Sequence, residues 1–342
     1  MDRSSILLAG TGKPTGTGLD EAGFSVDGMS VAVIIPTFNY ARFLPEAIMS
    51  VLAQTRQADE IIVVDDGSTD DPASIVAQFQ TVRLLRQENR GPSAARNKGL
   101  RNCKTSHIVF FDADDRLLPA ALESGLNCIA GCPDCAFVYG GHRRISVDGH
   151  PLGPDVVRPI KGDAHLAFLR WNLAGPPMTV LFRRDCLLAV NGFDETLRHC
   201  EDYDVYLRLA QRYPIASHPT LVAEHRMHGQ AASNDYVKML KGGLLVLDLN
   251  KARIATDPIG RAAIQEGRTN IRSYYVPRMV DAASASWRAR HDIGILARDL
   301  IQAARWSPYL TTRALLGFLG RRASKVLPHL IVQWIQRIWS RP

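Results

Sequence analysis

Three short apolar runs, each stopping on polar or acidic residues, constrain this chain most. Val31-Ala32-Val33-Ile34-Ile35 runs into Pro36-Thr37-Phe38-Asn39, and Glu60-Ile61-Ile62-Val63-Val64 into Asp65-Asp66-Gly67-Ser68-Thr69-Asp70. Ser106-His107-Ile108-Val109-Phe110-Phe111 runs into Asp112-Ala113-Asp114-Asp115. Runs this short, rich in β-branched and aromatic residues, read as buried strands. Between the first two, Phe43, Leu44, Ala47, Ile48, Val51 and Leu52 recur at the spacing of one helix face. Near-continuous apolar strands alternating with helices predict an α/β fold with a mostly parallel sheet covered on both faces. Ligands in such sheets bind beyond the carboxyl ends of the strands, so the three polar segments share one rim.

The tetrad Asp112-Ala113-Asp114-Asp115 carries the sharpest chemistry. Three carboxylates at the end of a buried strand repel one another and resist desolvation. A divalent cation relieves that cost, because hard cations take oxygen ligands, and through the cation a diphosphate can be held. A solvated acidic turn capping the next helix uses the same residues.

Five blocks in order resemble family 2 glycosyltransferases of the GT-A fold. They are Val-Ala-Val-Ile-Ile-Pro-Thr-Phe-Asn from Val31, Val64-Asp65-Asp66-Gly67-Ser68-Thr69-Asp70, and Asn89-Arg90-Gly91-Pro92-Ser93-Ala94-Ala95-Arg96-Asn97. The acid tetrad follows, then Gly192-Phe193-Asp194-Glu195 with Glu201-Asp202-Tyr203-Asp204-Val205-Tyr206-Leu207-Arg208. The resemblance covers roughly residues 31 to 235 and implies a Rossmann-like GT-A sheet. It also implies transfer of a hexosyl or N-acetylhexosaminyl group, with inversion, from a nucleotide-diphospho-sugar, usually a UDP-sugar, assisted by Mg²⁺ or Mn²⁺.

The resemblance assigns roles residue by residue. Phe38, beside Pro36, stacks on the base where many relatives carry Tyr. Asp65 and Asp66 accept hydrogen bonds from base or ribose, although turn and N-cap chemistry gives the same sequence. Arg96, with Arg90 and Lys98, contacts donor phosphates or base. Asp112 and Asp114 match the family's Asp-x-Asp, but Asp115 is the direct metal ligand in some relatives, so metal and ribose roles within the tetrad stay open. His228, in His225-Arg226-Met227-His228, supplies a further metal or phosphate contact. Asp202 matches the general base that removes the acceptor proton. Glu201 orients the acceptor or the base, and Asp204 is left as structural. The same acids suit the first turn of a helix, Tyr203 to Tyr213. Trp171 and Gly175-Pro176-Pro177-Met178, before a strand Thr179 to Phe182, shape the sugar and acceptor pocket, and the double Pro departs from the family's pattern.

The six Cys include Cys132-Pro133-Asp134-Cys135 near Cys128, but no second pair with zinc-ribbon spacing follows, which favours reduced thiols over zinc. Residues 1–28 lack periodicity and read as a disordered leader. Ile6-Leu7-Leu8-Ala9 is too short for the apolar stretch of a secretion signal, and the expectation is a cytoplasmic protein. A catalytic domain is expected over 29–240 and a helical basic extension over 241–342.

From Lys251 onward there are sixteen Lys or Arg against five Asp or Glu, in a chain whose total charge is +7. Beyond Thr312 there is no acid. Leu327, Leu330, Ile331, Trp334, Ile335, Ile338 and Trp339 recur every three or four positions among Arg and Lys. That pattern suits a helix lying in an anionic membrane surface, peripheral on the cytoplasmic face of the inner membrane, where a glycan or lipid-linked acceptor is met. A helix docked on the catalytic domain with a basic outer face is the alternative. Two other function classes fit the sequence less well. A polyanion-binding protein lacks any specific nucleic-acid motif. A nucleotidyltransferase of related fold usually carries a Gly-rich basic loop where Pro36-Thr37-Phe38-Asn39-Tyr40 stands.

Overall fold

The computed structural model describes residues 28–228, 235–251, 254 and 257–320. In chain order the elements are β1 (Val31–Thr37), α1 (Leu44–Leu52), β2 (Glu60–Asp65), α2 (Pro72–Val76), β3 (Val82–Arg86), α3 (Pro92–Asn102), β4 (His107–Phe110) and β5 (Arg116–Leu117). Then come α4 (Ala121–Ala130), β6 (Phe137–Ile145), α5 (Ala164–Arg170), β7 (Val180–Arg183), α6 (Arg184–Ala189), α7 (Glu201–Ala210) and β8 (Ile215–Arg226). Four helices follow: α8 (Tyr236–Lys251), α9 (Pro258–Arg290), α10 (Ile293–Trp306) and α11 (Pro308–Gly320).

The continuous apolar runs have a direct cause. Successive side chains of a strand point to opposite faces, and here both faces are covered. Ala32, Ile34, Ile62, Val64, Ile108 and Phe110 feed one core. Val31, Val33, Ile35, Ile61, Val63, Val109 and Phe111 feed the other. Each fully buried Val, Ile or Phe contributes about 1.5–3 kcal/mol relative to exposure, so β1, β2 and β4 form the anchored centre. Helices α1 and α4 close the second core through Leu44, Ile48, Val51, Leu122 and Leu126. The first core is closed by α3, α5 and α7 and continues into the C-terminal helices through Leu247, Ile264, Val280, Leu300 and Leu315.

The eight strands lie in the order β3-β2-β1-β4-β7-β6-β8-β5. β1, β2, β3 and β4 pair in parallel, which places the residues after β1, β2 and β4 on one rim as expected. Beyond them the sheet is mixed, because β7 runs antiparallel to both β4 and β6. Pro36 lies past the β1–β4 ladder, which ends at Ile34 and Phe110, so its missing N–H costs no hydrogen bond there.

Some expectations need correction. Cys132 and Cys135 form a disulfide rather than free thiols. The turn after α4 brings their Cα atoms to 5.4 Å and is closed by a Cys135 N–H to Cys132 carbonyl bond of 2.9 Å. Cys103, Cys128, Cys186 and Cys200 are free and buried. The seventh strand starts at Val180, since Pro177–Thr179 form a 3-10 turn. The acid-rich helix starts at Glu201 and ends at Ala210. The expected boundary at residue 240 falls inside α8. The leader and the Trp334–Trp339 segment lie outside the described residues. Among the described residues no helix is long and apolar enough to cross a membrane.

Candidate active site

Asp65 and Asp66 are buried at the end of β2, and their carboxylates organise the surrounding loops. Asp65 accepts from the Ser68 N–H at 2.8 Å and from Arg86 Nε at 3.0 Å. Asp66, 3% exposed, accepts from Gln87 Nε2 at 2.8 Å, Arg90 N–H at 2.9 Å and Gly91 N–H at 2.8 Å. Gly67 between them has φ +81°, and a Cβ there would stand 2.9 Å from the Asn89 nitrogen. Asp66 is therefore the clamp of the 87–91 loop. Phe38 is 42% exposed on the same rim, an aromatic face open to solvent.

The three carboxylates of the tetrad have three different partners. Asp112 Oδ1 accepts from Arg96 at 2.8 Å. Asp114 Oδ2 meets His228 Nε2 at 2.7 Å. Asp115 is buried and accepts the Arg226 N–H at 2.8 Å. Burial first, then the charges of Asp114 and Asp112, hold the Asp115 carboxyl well above the usual carboxylate range. The Tyr40 and Phe43 rings stand 5.6 Å from His228 and wall this corner. Burial, then Asp114, pushes the Tyr40 phenol up to about 12.

Arg96 ties this corner to the opposite wall. Its guanidinium is 5% exposed and bridges Asp112 to Glu201 Oε1, the latter at 2.6 Å. It is engaged on both sides by protein carboxylates, Asp112 and Glu201. Lys98 hydrogen-bonds the Arg86 carbonyl, and Arg90 pairs with Glu195 at 2.7 Å. Beside Glu201, Asp202 is half-buried at the start of α7 and accepts its own neighbour's N–H, from Tyr203, at 2.7 Å. Burial, then Glu201, pushes the Asp202 carboxyl up to about 7, with Arg96 acting in the opposite direction. A carboxylate with that proton affinity is suited to general-base work near neutral pH.

Residues 32–183 match the family described as Glycosyl transferase family 2. Over that stretch the chain is similar to glycosyltransferase family 2. The chain is 29% identical over 215 residues to an uncharacterized glycosyltransferase of Rickettsia felis, covering 59% of this chain and 35% of the relative. It is 30% identical over 210 residues to the chondroitin synthase of Escherichia coli, covering 59% of this chain and 30% of that protein. It thus spans about a third of the length of these relatives. Two solved structures share its fold. TarS 1-349 of S. aureus in complex with UDP-GlcNAc has TM-score 0.57 at 16% identity, covering 84% of this chain and 83% of that one. Mannosyltransferase PcManGT of Pyrobaculum calidifontis, in complex with GDP-Man and Mn²⁺, has TM-score 0.57 at 19% identity, covering 87% and 89%.

Several supports of the site carry no signal in the sequence. Arg226 is 3% exposed; its Nε donates to the Asp114 carbonyl at 2.8 Å and a terminal nitrogen to Glu46 at 2.5 Å. Together with its own N–H on Asp115, it fixes the tetrad to the end of β8. Asn97 accepts the Phe193 N–H at 2.9 Å and donates to the Phe193 carbonyl at 2.8 Å, pinning the Gly192-Phe193 loop to α3. Arg208 pairs with Asp204 at 2.7 Å and donates to the Gly192 carbonyl at 2.7 Å, so Asp204 holds the arginine that fixes this loop. The flanking histidines of Arg226 gave the only sequence signal for it. Arg226→Lys keeps the charge but not the fork that reaches diverging acceptors. Its expected cost is about 2 kcal/mol of stability, read from urea unfolding midpoints.

Proposed function

We propose that the chain transfers a sugar, with inversion, from a nucleotide-diphospho-sugar to an acceptor hydroxyl on a glycan or lipid-linked saccharide. The observation that carries this reading is Asp202, a half-buried carboxylate with proton affinity near neutral, standing next to Glu201, which Arg96 joins to the acid tetrad. Asp202 takes the acceptor proton as the hydroxyl attacks the anomeric carbon from the face opposite the leaving diphosphate. Glu201, fixed by Arg96, orients the base or the acceptor. Phe38 offers a face for the base, and the loop clamped by Asp66 borders it. The UDP-GlcNAc and GDP-Man complexes of TarS and PcManGT support a nucleotide-sugar donor, and we favour a UDP-sugar.

The residues fit a divalent cation by their chemistry. No three His, Cys, Asp or Glu side chains among the described residues converge on one point. The tetrad nonetheless gathers carboxylates: burial, then the charges of Asp114 and Asp112, drives up Asp115, and Asp114 meets the imidazole of His228. Hard oxygens with one imidazole suit Mg²⁺ or Mn²⁺, held by Asp114, Asp115, Asp112 and His228 in a set we leave open. When bound, the ion neutralises charge that builds on the leaving diphosphate. The basic C-terminal segment supports contact with an anionic membrane surface on the cytoplasmic side.

A donor-panel hydrolysis assay with and without Mn²⁺ or Mg²⁺ tests the reading. One nucleoside diphosphate should be released slowly from one donor, dependent on metal, and Asp114→Asn should lower that release by roughly 10²-fold or more. Neither turnover nor metal-dependent thermal protection by any donor would sink it.

A further inference from the structure

Residues of α9, beyond the family match at 32–183, pack onto residues within it around Trp171. Helix α9 brings Tyr274 to the Trp171 ring, with centroids 5.2 Å apart, and Tyr275 packs edge-on against Tyr274 at 4.9 Å. After burial, Cys200 and Tyr274, the charge of Asp202 is among the causes that hold the Tyr275 phenol up, so this ring stands within electrostatic reach of the base. On the other side, Gly175 joins His142 to α7: a Cβ on Gly175 would sit 3.3 Å from His142 Cε1, and the Gly175 carbonyl faces the Tyr206 hydroxyl at 3.4 Å.

Cations cover these aromatic faces. Arg158 lies 5.8 Å from the Trp171 centroid, and Arg278 lies 3.6 Å from that of Tyr274. Among the described residues, neither these two nor Arg144 has a carboxylate within ion-pair distance, although Arg143 and Arg170 nearby in sequence pair at 2.8 Å with Asp155 and Glu266. The Nε of Arg144 is buried without a hydrogen-bond partner. Arg158 is half-buried, and burial lowers its proton affinity, with Arg144 adding to the effect. The same field reaches His142, which burial, His225, Arg158 and Arg144 push down to about 3. Burying cations without counter-charges is costly, and an anionic ligand removes that cost. Guanidinium forks match carboxylate and phosphate oxygens, and flat aromatic faces match the C–H faces of a sugar ring.

We propose that Trp171, Tyr274 and Tyr275, with Arg144 and Arg158, form the acceptor subsite, and that the acceptor is a saccharide bearing an anionic group, a carboxylate or a phosphate. This rests on the glycosyl-transfer reading above. The C-terminal helices thereby set acceptor choice while the tetrad and Asp202 perform the transfer.

Binding of three oligosaccharides of matched length, measured by calorimetry on the full chain, tests it: an oligouronate, a phosphodiester-linked oligomer and a neutral oligomer. The expected result is a preference of ~10-fold or more for at least one anionic oligomer over the neutral one, as a charge-assisted contact gives. The oligomer preferred identifies carboxylate or phosphate as the anion. Arg158→Gln and Arg144→Gln should each cut that preference while neutral-oligomer binding persists, and Arg158→Lys should keep part of it. Persistence of neutral binding also reports that the variants are folded. Equal affinity for anionic and neutral oligomers, or a preference unchanged in both Gln variants, would overturn the subsite. Donor hydrolysis by the wild type is followed separately. Its absence beside charge-selective glycan binding would overturn glycosyl transfer and leave the anion-selective glycan site standing.

Discussion

Asp202→Asn is expected to lower sugar transfer by roughly 10²–10⁴-fold, the range for removing a positioned general base. The same substitution should make the folded protein more stable above pH 7. In the native fold the Asp202 carboxyl is pushed up to about 7 by burial and then by Glu201. In the unfolded chain it returns to about 4. The native state therefore binds the extra proton between those two values. The stability this group contributes is fully present below about pH 4 and is lost as pH rises through about 7. Asn carries no such penalty, and the gain at pH 8 should be on the order of 2 kcal/mol, discounted for the solvent that reaches this site. Denaturant unfolding at pH 4.5 and pH 8 in chelator reads the sign directly. The wild-type kcat/KM should rise with pH on a limb centred near 7. A variant equally destabilised at both pH values, or a flat limb, would remove Asp202 from the role of base.

Arg96→Gln should be the most damaging single change to the fold of the site. It leaves Asp112 and Glu201 facing each other with the bridging cation gone. Breaking a buried ion pair by removing one partner costs roughly 3–5 kcal/mol, and the partial exposure of Asp112 places this case near the lower end, at about 3 kcal/mol. A second readout separates positioning from mere stability. Arg96 opposes the rise in Asp202's proton affinity, so its removal should move the acid limb of kcat/KM to higher pH. Arg96→Lys restores the charge without the two-pronged bridge, and its limb should stay near the wild-type position although stability is only partly recovered. An unmoved limb in Arg96→Gln would show that the bridge does not govern the base.

Much of this was legible in the chain, and what escaped has a common cause. β1, β2 and β4 could be read because strands buried on both faces admit no polar residue until they end, which also marks the rim. Asp112-Ala113-Asp114-Asp115 could be read because local crowding of like charge has few explanations. The antiparallel entry of β7 could not, because nothing local distinguishes the direction in which a four-residue apolar strand is inserted. The Arg96 bridge could not, because its two carboxylate partners, Asp112 and Glu201, lie 16 and 105 residues away. Arg226 and Glu46 meet across 180 residues, and neither signals the other. Tyr274 and Tyr275 read as ordinary residues of a long helix, since only tertiary packing carries them to Trp171 and toward Asp202.

The core that runs from the sheet into α8, α9 and α10 bears on how such an enzyme can be re-engineered. Gly243 approaches Ile271, and Gly267 packs against the Leu169 carbonyl, so the helices are fitted at backbone distance to one another and to the domain. The portion that matches the family is consequently not a unit that can be excised and expressed alone. Exchange of material between relatives has to carry α5 and α9 together with the small residues that let them touch. A chimera cut just after His228 would keep the residues proposed for the chemistry and lose the helices that pack on α5. One cut that preserves the α5–α9 contact offers a route to changing what is glycosylated without disturbing how.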